Sequence, residues 1–489
     1  MLFNTLEFAI FFPVVFVLYW IVAKYRIPRN ILLIIASYTF YGWWDWRFLF
    51  LIAFSSLVDY VIAQKMYKAE NKRKRKFLLC SSLLINLGFL FYFKYTNFFI
   101  ETFIDSFRLF GRELEMSTLN IILPVGISFY TFQTLSYTID VYRKQLEPTK
   151  DALAFFTFVA FFPQLVAGPI VRASNLLPQF YKTYQFNYDR VKSGLLLMAF
   201  GLFKKMVIAD RLSILVNQVY NNPGEYHGYE TIVATIFFAF QIYCDFSGYS
   251  DIAIGLARTM GFDLMKNFDS PYFSKSITEF WRRWHISLST WFRDYVYIPL
   301  GGSKNGKYRT YFNLFVVFLI SGLWHGAAMT FIIWGAIHGI IIVLEKSLKV
   351  YRVKAYETIK INNNSFSNKL GFTIITFIIV CFSWIFFRAN NLSDALLVIN
   401  NSMIDNYNGV SYGGLFKLGL DKLHFWVAVL SIIALLLFDL FHKKKNAMKW
   451  LSNQNFIFRW GVYISIVFVI IIFGVYGDMA PKEFIYFQF

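Results

Sequence analysis

Two histidines stand where a proton-binding side chain is costly. His325 lies in the run Ser321-Gly322-Leu323-Trp324-His325-Gly326, with apolar stretches Tyr311 to Ile320 before it and Ala327 to Leu344 after it. His285 lies upstream in Phe280-Trp281-Arg282-Arg283-Trp284-His285. An ionisable residue at membrane depth marks a candidate functional site, because the bilayer penalises its charge. Neutral imidazole takes up protons near working pH, and burial helps to keep it neutral. The pair therefore marks where chemistry is to be sought. The plainer alternative for either ring is a buried histidine satisfied by a backbone carbonyl. His338 reads as a polar contact between helices. His227, His424 and His442 sit near span ends or in loops.

Trp284 and Trp324 directly precede the two histidines and would wall a channel against water. Ser289, Asp294 and Asp245 are the further candidates to line it. Asp245 and Asp251 are six residues apart, which puts them on different faces of a helix rather than in a paired-carboxylate site. Structural hydrogen bonding around a bend at Gly248 is the modest account of them, and a proton relay the sharper one. Gly301-Gly302-Ser303-Lys304-Asn305-Gly306-Lys307-Tyr308 falls one residue short of a phosphate-binding loop. The motif needs Ser or Thr after the lysine to hold magnesium, so Tyr308 excludes nucleotide hydrolysis. An ordinary basic loop, with some capacity to hold a phosphate group, is what remains.

These residues must be positioned by helices. Ser276 and Glu279 form a capping box that starts one. Ile277, Phe280, Trp281, Trp284, Leu288, Trp291, Phe292 and Tyr295 then follow at one-sided helical spacing, with Arg282, Arg283, Ser287 and Arg293 opposite. The pattern predicts one helix over 276–295 lying at the cytoplasmic interface, arginines toward the headgroups. His285 falls on its apolar face.

The chain has 489 residues, of which 57% are hydrophobic and only 16% charged, and the apolar residues come in long blocks. A soluble protein would carry about 25% charged residues. The blocks imply a polytopic membrane protein. The net charge of +19 sits between the blocks, so it serves topology and argues against nucleic-acid binding. Basic clusters at Lys24 to Arg29, Lys65 to Lys76, Arg143 to Lys150 and Lys443 to Lys449 face the cytoplasm together if the N-terminus is extracytoplasmic. No cleavable signal is expected, since Met1 to Glu7 carries no positive side chain before the apolar run. Cys80, Cys244 and Cys381 imply neither a disulfide framework nor a metal site.

The expected fold is all-α, with about 10–12 crossings in one integral-membrane domain over 1–489. Residues 231–345 would form its histidine-bearing core. Ile31–Gly42, Leu153–Gly168 and Tyr311–Leu323 are shorter than the ~20 residues a span needs, so they are suspects for tilted, broken or re-entrant helices. Internal repeats are lacking. That weighs against the rival reading of a proton-coupled transporter using Asp245, Asp251 and the histidines.

Three stretches carry a resemblance: QIYCDFSGYSDIAIG at Gln241–Gly255, FWRRWHISLSTWFRDYVYIPLGG at Phe280–Gly302 and SGLWHGA at Ser321–Ala327. Weaker ones are LPVGISFYTFQ at Leu123–Gln133, FFPQLVAGPIVR at Phe161–Arg172 and FSWIFFRA at Phe382–Ala389. In these the chain resembles the membrane-bound O-acyltransferase family, most of all its bacterial branch of alginate and peptidoglycan O-acetyltransferase membrane subunits. The resemblance implies a helical bundle with re-entrant and interfacial helices around a central funnel. It implies that the family's essential histidine is His325 and its second motif histidine is His285. It further implies a multi-pass protein of the inner (cytoplasmic) membrane, in contact with membrane lipid. The donor would be a cytoplasmic acyl thioester, acetyl-CoA, with no permanently bound cofactor, and the acceptor a polysaccharide. A separate periplasmic acyltransferase of the SGNH serine-hydrolase type would complete the transfer. D-alanyl transfer to teichoic acid from a carrier-protein thioester is the alternative within the family.

Overall fold

In lipid a segment must satisfy its own backbone groups, and helices do so. A computed structural model of the chain follows that rule. It describes residues 1–109, 111, 118–166, 168–360, 362, 365–404, 414–445, 447–477 and 484–485, and among them there are helices and turns but no strands. Seven described helices are long and apolar enough to cross a membrane: Arg47–Lys68, Lys72–Arg108, Tyr229–Thr259, Met329–Ser347, Phe366–Arg388, Lys422–Lys445 and Phe456–Phe473. The protein is an all-α, multi-pass membrane protein. The 10–12 crossings expected from hydropathy include shorter pieces, such as the apolar helix Leu6–Val22.

The chain divides into two compact units, residues 1–198 with 252–265, and residues 199–251 with 266–489. In the first, α1 (Leu6–Val22), α2 (Arg26–Gly42), α3 (Arg47–Lys68), α4 (Lys72–Leu90), α5 (Thr96–Leu109) and α6 (Ile127–Tyr142) precede α7 (Ala152–Ala160), α8 (Phe162–Leu165) and α9 (Ala173–Leu176). A π-helical turn at Phe91–Tyr95 joins α4 to α5. The suspect stretch 153–168 is indeed broken, at Phe161 between α7 and α8. Ile31–Gly42, by contrast, is the unbroken end of α2. Arg29 is not a loop charge but is fully buried at the start of α2, where it donates to the carbonyls of Phe180 and Lys182. Buried polar groups also join the spans: Ser82 and Asn86 of α4 donate to Asp59 of α3 at 2.6 and 3.0 Å. Such bonds bind helices together where no hydrophobic force separates protein from lipid.

Two helices contribute residues to both units, α10 (Tyr188–Leu202) and α12 (Tyr229–Thr259). The second unit continues with α11 (Asp210–Tyr220), α13 (Ile277–Arg283), α14 (Ile286–Phe292), α15 (Lys307–His325), α16 (Met329–Ser347) and α17 (Lys349–Thr358). It ends with α18 (Phe366–Arg388), α19 (Leu392–Met403), α20 (Lys422–Lys445), α21 (Ala447–Ser452) and α22 (Phe456–Phe473). The suspect span Tyr311–Leu323 lies inside α15, which is unbroken. α15 and α16 form a tight hairpin. A methyl added at Gly322 would overlap the carbonyl oxygen of Phe331, and one at Gly335 that of Phe318. Small residues are what let membrane helices approach so closely.

α12 is continuous through Gly248. Gly248 serves close packing. A Cβ there would lie 2.8 Å from the Gly201 carbonyl oxygen and 3.2 Å from the Lys205 nitrogen.

Candidate active site

The pattern over 276–295 does not form one helix. Ser276 caps α13 as expected, its hydroxyl accepting from the Glu279 amide at 3.1 Å. The reciprocal bond is shifted by one residue, since Glu279 accepts from the Lys275 amide at 3.0 Å. Glu345 of α16 accepts from the amides of Ile277 and Thr278 at 2.7 and 2.9 Å. α13 then ends at Arg283, and His285 adopts a left-handed backbone with φ 44° and ψ 55°. Histidine is one of the few side chains enriched in that region. The break restarts the helical phase, so Ser287 turns inward rather than to the polar side and is buried. The smooth apolar periodicity concealed this, because both short helices bury aromatic residues.

Asn267, in the extended segment after α12, holds the break. Its backbone carbonyl accepts from the Ile286 amide at 2.9 Å. Its side-chain Oδ1 accepts from the Ser287 amide at 3.2 Å and from the Ser287 hydroxyl at 2.9 Å. The first amides of α14, which have no partner within the helix, are thereby satisfied. His285 Nδ1 lies 3.2 Å from the same Oδ1, and Asn267 Nδ2 donates to Ser250 of α12 at 3.1 Å. His285, Asn267, Ser250 and Ser287 are all buried. Burial pushes the His285 imidazole down from 6.5 to about 3, so the ring is neutral at physiological pH.

His325 is the last residue of α15, followed by extended Gly326. Its ring centroid stands 6.5 Å from that of His285. Trp324 touches both, at 4.9 Å from His325 and 6.1 Å from His285. Trp334 of α16 and Phe387 of α18 close on His325 at 5.0 and 5.3 Å. Phe246 of α12 meets His285 edge-on at 4.6 Å. Two histidines thus share a buried aromatic chamber built by α12, the α13–α14 break, α15, α16 and α18.

Of the other candidates, Trp284 packs beside this chamber, stacked on Phe280 at 5.4 Å and edge-on to Phe268 at 5.1 Å. Ser289 is half-buried, its hydroxyl 3.4 Å from the Trp284 carbonyl. Asp294 pairs with its neighbour Arg293 at 2.7 Å on a π-helical turn. Asp245 pairs with Lys205 at 2.7 Å and accepts from the Ile485 amide at 2.9 Å. Asp251 pairs with Lys204, which also donates to Ser247 at 2.9 Å. Each aspartate of α12 therefore has its own lysine. His338 accepts from the Trp281 indole at 3.2 Å, the helix-to-helix contact expected of it.

Sequence reasoning missed Asn267, Ser250, Lys204 and Lys205. The lysines were findable, because ionisable residues inside the apolar run 195–216 carry the same signal as His325. Asn267 had no local signal, since its partners are distant in sequence.

The family model of the membrane-bound O-acyltransferases matches residues 144–388, about half of the chain, and includes both histidines. The chain belongs to that family and is an O-acyltransferase. It is 42% identical over 388 residues to a probable alginate O-acetylase, AlgI, of Pseudomonas aeruginosa, covering 79% of this chain and 71% of that one. It is 37% identical over 447 residues to a peptidoglycan O-acetyltransferase of Helicobacter pylori, covering 85% and 82%. A teichoic acid D-alanyltransferase of Bacillus subtilis is 28% identical over 281 residues, covering 55% and 69%.

Proposed function

We propose that this protein moves an acetyl group from a cytoplasmic thioester, acetyl-CoA, to a hydroxyl, for the modification of an extracytoplasmic polysaccharide. The observation that carries this is the enclosed histidine pair, 6.5 Å between ring centroids with Trp324 against both. The named activities of the alginate and peptidoglycan relatives support the acetyl group and the polysaccharide. The lower identity to the D-alanyltransferase favours acetyl over D-alanyl.

His325 is the general base. It takes the proton of the acceptor hydroxyl as the oxygen attacks the thioester carbonyl carbon. The carbon–sulfur bond then breaks, and the departing thiolate recovers the proton from the imidazolium. His285, neutral by burial, orients the thioester or assists the proton transfer. Trp324 and Trp284 exclude water, which would hydrolyse the donor. Ser289, Asp294 and Asp245 line the approach of substrate. The acceptor is the sugar itself or the serine of a periplasmic SGNH-type partner. Residues 1–489 work as one acyltransferase domain in the cytoplasmic membrane, N-terminus outward.

Purified protein mixed with radiolabelled acetyl-CoA should yield labelled acceptor or released acetate. Envelope polysaccharide from a deletion strain should lose acetyl esters by mass spectrometry. Intact acetyl-CoA together with unchanged esters would refute the proposal.

A further inference from the structure

We propose that Asn267 is a positioning residue that locks His285 as its Nδ1–H tautomer and so makes Nε2 the basic nitrogen of that ring. The role deepens the acyl-transfer reading above and rests on it. The geometry runs outward from a backbone amide. A main-chain N–H can only donate, so the Ser287 amide at 3.2 Å defines the Asn267 atom facing it as the carbonyl oxygen. The Ser287 hydroxyl at 2.9 Å and the Nδ2 contact to Ser250 at 3.1 Å agree with that orientation. The same oxygen lies 3.2 Å from His285 Nδ1. Two lone pairs facing each other in a buried site would repel, so Nδ1 carries the ring's proton. A neutral ring has one proton, which leaves the lone pair on Nε2. His325 is a titratable ring beside it, 6.5 Å away between ring centroids.

The same asparagine spans the left-handed break. Its backbone and side chain hold Ile286 and Ser287, the residues that follow His285. One residue thereby sets both the ring's placement and its tautomer. A pure helix-capping role would set only the placement.

Nitrogen NMR of isotopically histidine-labelled protein in nanodiscs separates the two roles, with His285→Gln assigning the resonance. The wild type should show a protonated Nδ1 and a bare, pyridine-type Nε2. Asn267→Ala should give a mixed tautomer population and lower kcat by about 10²-fold or more, with KM for radiolabelled acetyl-CoA little changed. Asn267→Asp keeps the acceptor and the cap. It should restore Nδ1–H and activity at high pH, with an acid limb displaced upward because a carboxylate beside the ring favours imidazolium. An Nε2–H wild-type spectrum, or an Asn267→Ala protein with unaltered tautomer and kcat, overturns the proposal. The spectrum does not depend on turnover. A wild-type protein with Nδ1–H but no acetyl transfer would therefore sink the proposed donor chemistry and leave the tautomer assignment standing.

Discussion

His285 combines three unusual conditions: full burial, a left-handed backbone and a second histidine ring beside it. A strained conformation at a non-glycine residue costs on the order of 1–3 kcal/mol and persists only where its surroundings enforce it. Here Asn267 and the two helix ends enforce it. Titration gives a direct check. The unfolded chain binds a proton on this ring near 6.5, whereas the folded ring stays neutral down to about 3. The folded state loses no stability to this group above 6.5, loses it progressively as pH falls below 6.5, and ceases to lose it only below 3. By pH 5 the loss is about 2 kcal/mol. His285→Gln should therefore show a shallower fall in melting temperature than wild type between neutral and mildly acidic pH. Equal slopes would contradict a neutral buried ring. His325→Ala should lower acetyl transfer by roughly 10²–10⁴-fold, the usual worth of a general base, with yield and melting temperature retained. A loss of only a few-fold would remove it from the base role.

The chamber depends on how its helices meet. The α15–α16 hairpin positions His325, and Gly322 sets the spacing of the hairpin. Gly322→Ala must push the Phe331 backbone away, at a cost of about 1–3 kcal/mol for overpacking. Activity should fall with it, because His325 lies one turn further along the same helix. Gly88→Ala in α4 meets nothing within 4 Å and is the matched control. It should be neutral or stabilise by up to about 1 kcal/mol on helix propensity. Thermal melts and acetyl-transfer assays of the two variants test this together. The α13–α14 break illustrates what periodicity hides. Ser276, Glu279 and the aromatic spacing marked a helix, and a helix begins there. The interruption at His285 lacks glycine or proline. It comes from Asn267, eighteen residues upstream, competing for the amides of Ile286 and Ser287.

The second unit as a whole carries an ion cluster that composition could not reveal. Lys205 pairs with Asp210 at 2.8 Å and with Asp245 at 2.7 Å, all three buried. Removing one partner of a buried ion pair typically costs about 3–5 kcal/mol, since the opposite charge is left uncompensated. Lys205→Met should sharply reduce folded yield, and adding Asp210→Asn should recover part of it, as read by size-exclusion profiles in detergent. Full yield from the single variant would show that the cluster is dispensable. The membrane class, the all-helical fold and the two histidines could be read from residue order alone. Long apolar blocks admit few structures in lipid, and charge inside them is penalised wherever it occurs. Tertiary packing alone decided that His285 breaks a helix, that Ser287 faces inward, that each aspartate of α12 meets a lysine, and that two histidines forty residues apart share one chamber. Those outcomes depend on which backbone amides and side chains distant segments deliver to the same place, and local spacing carries no record of that.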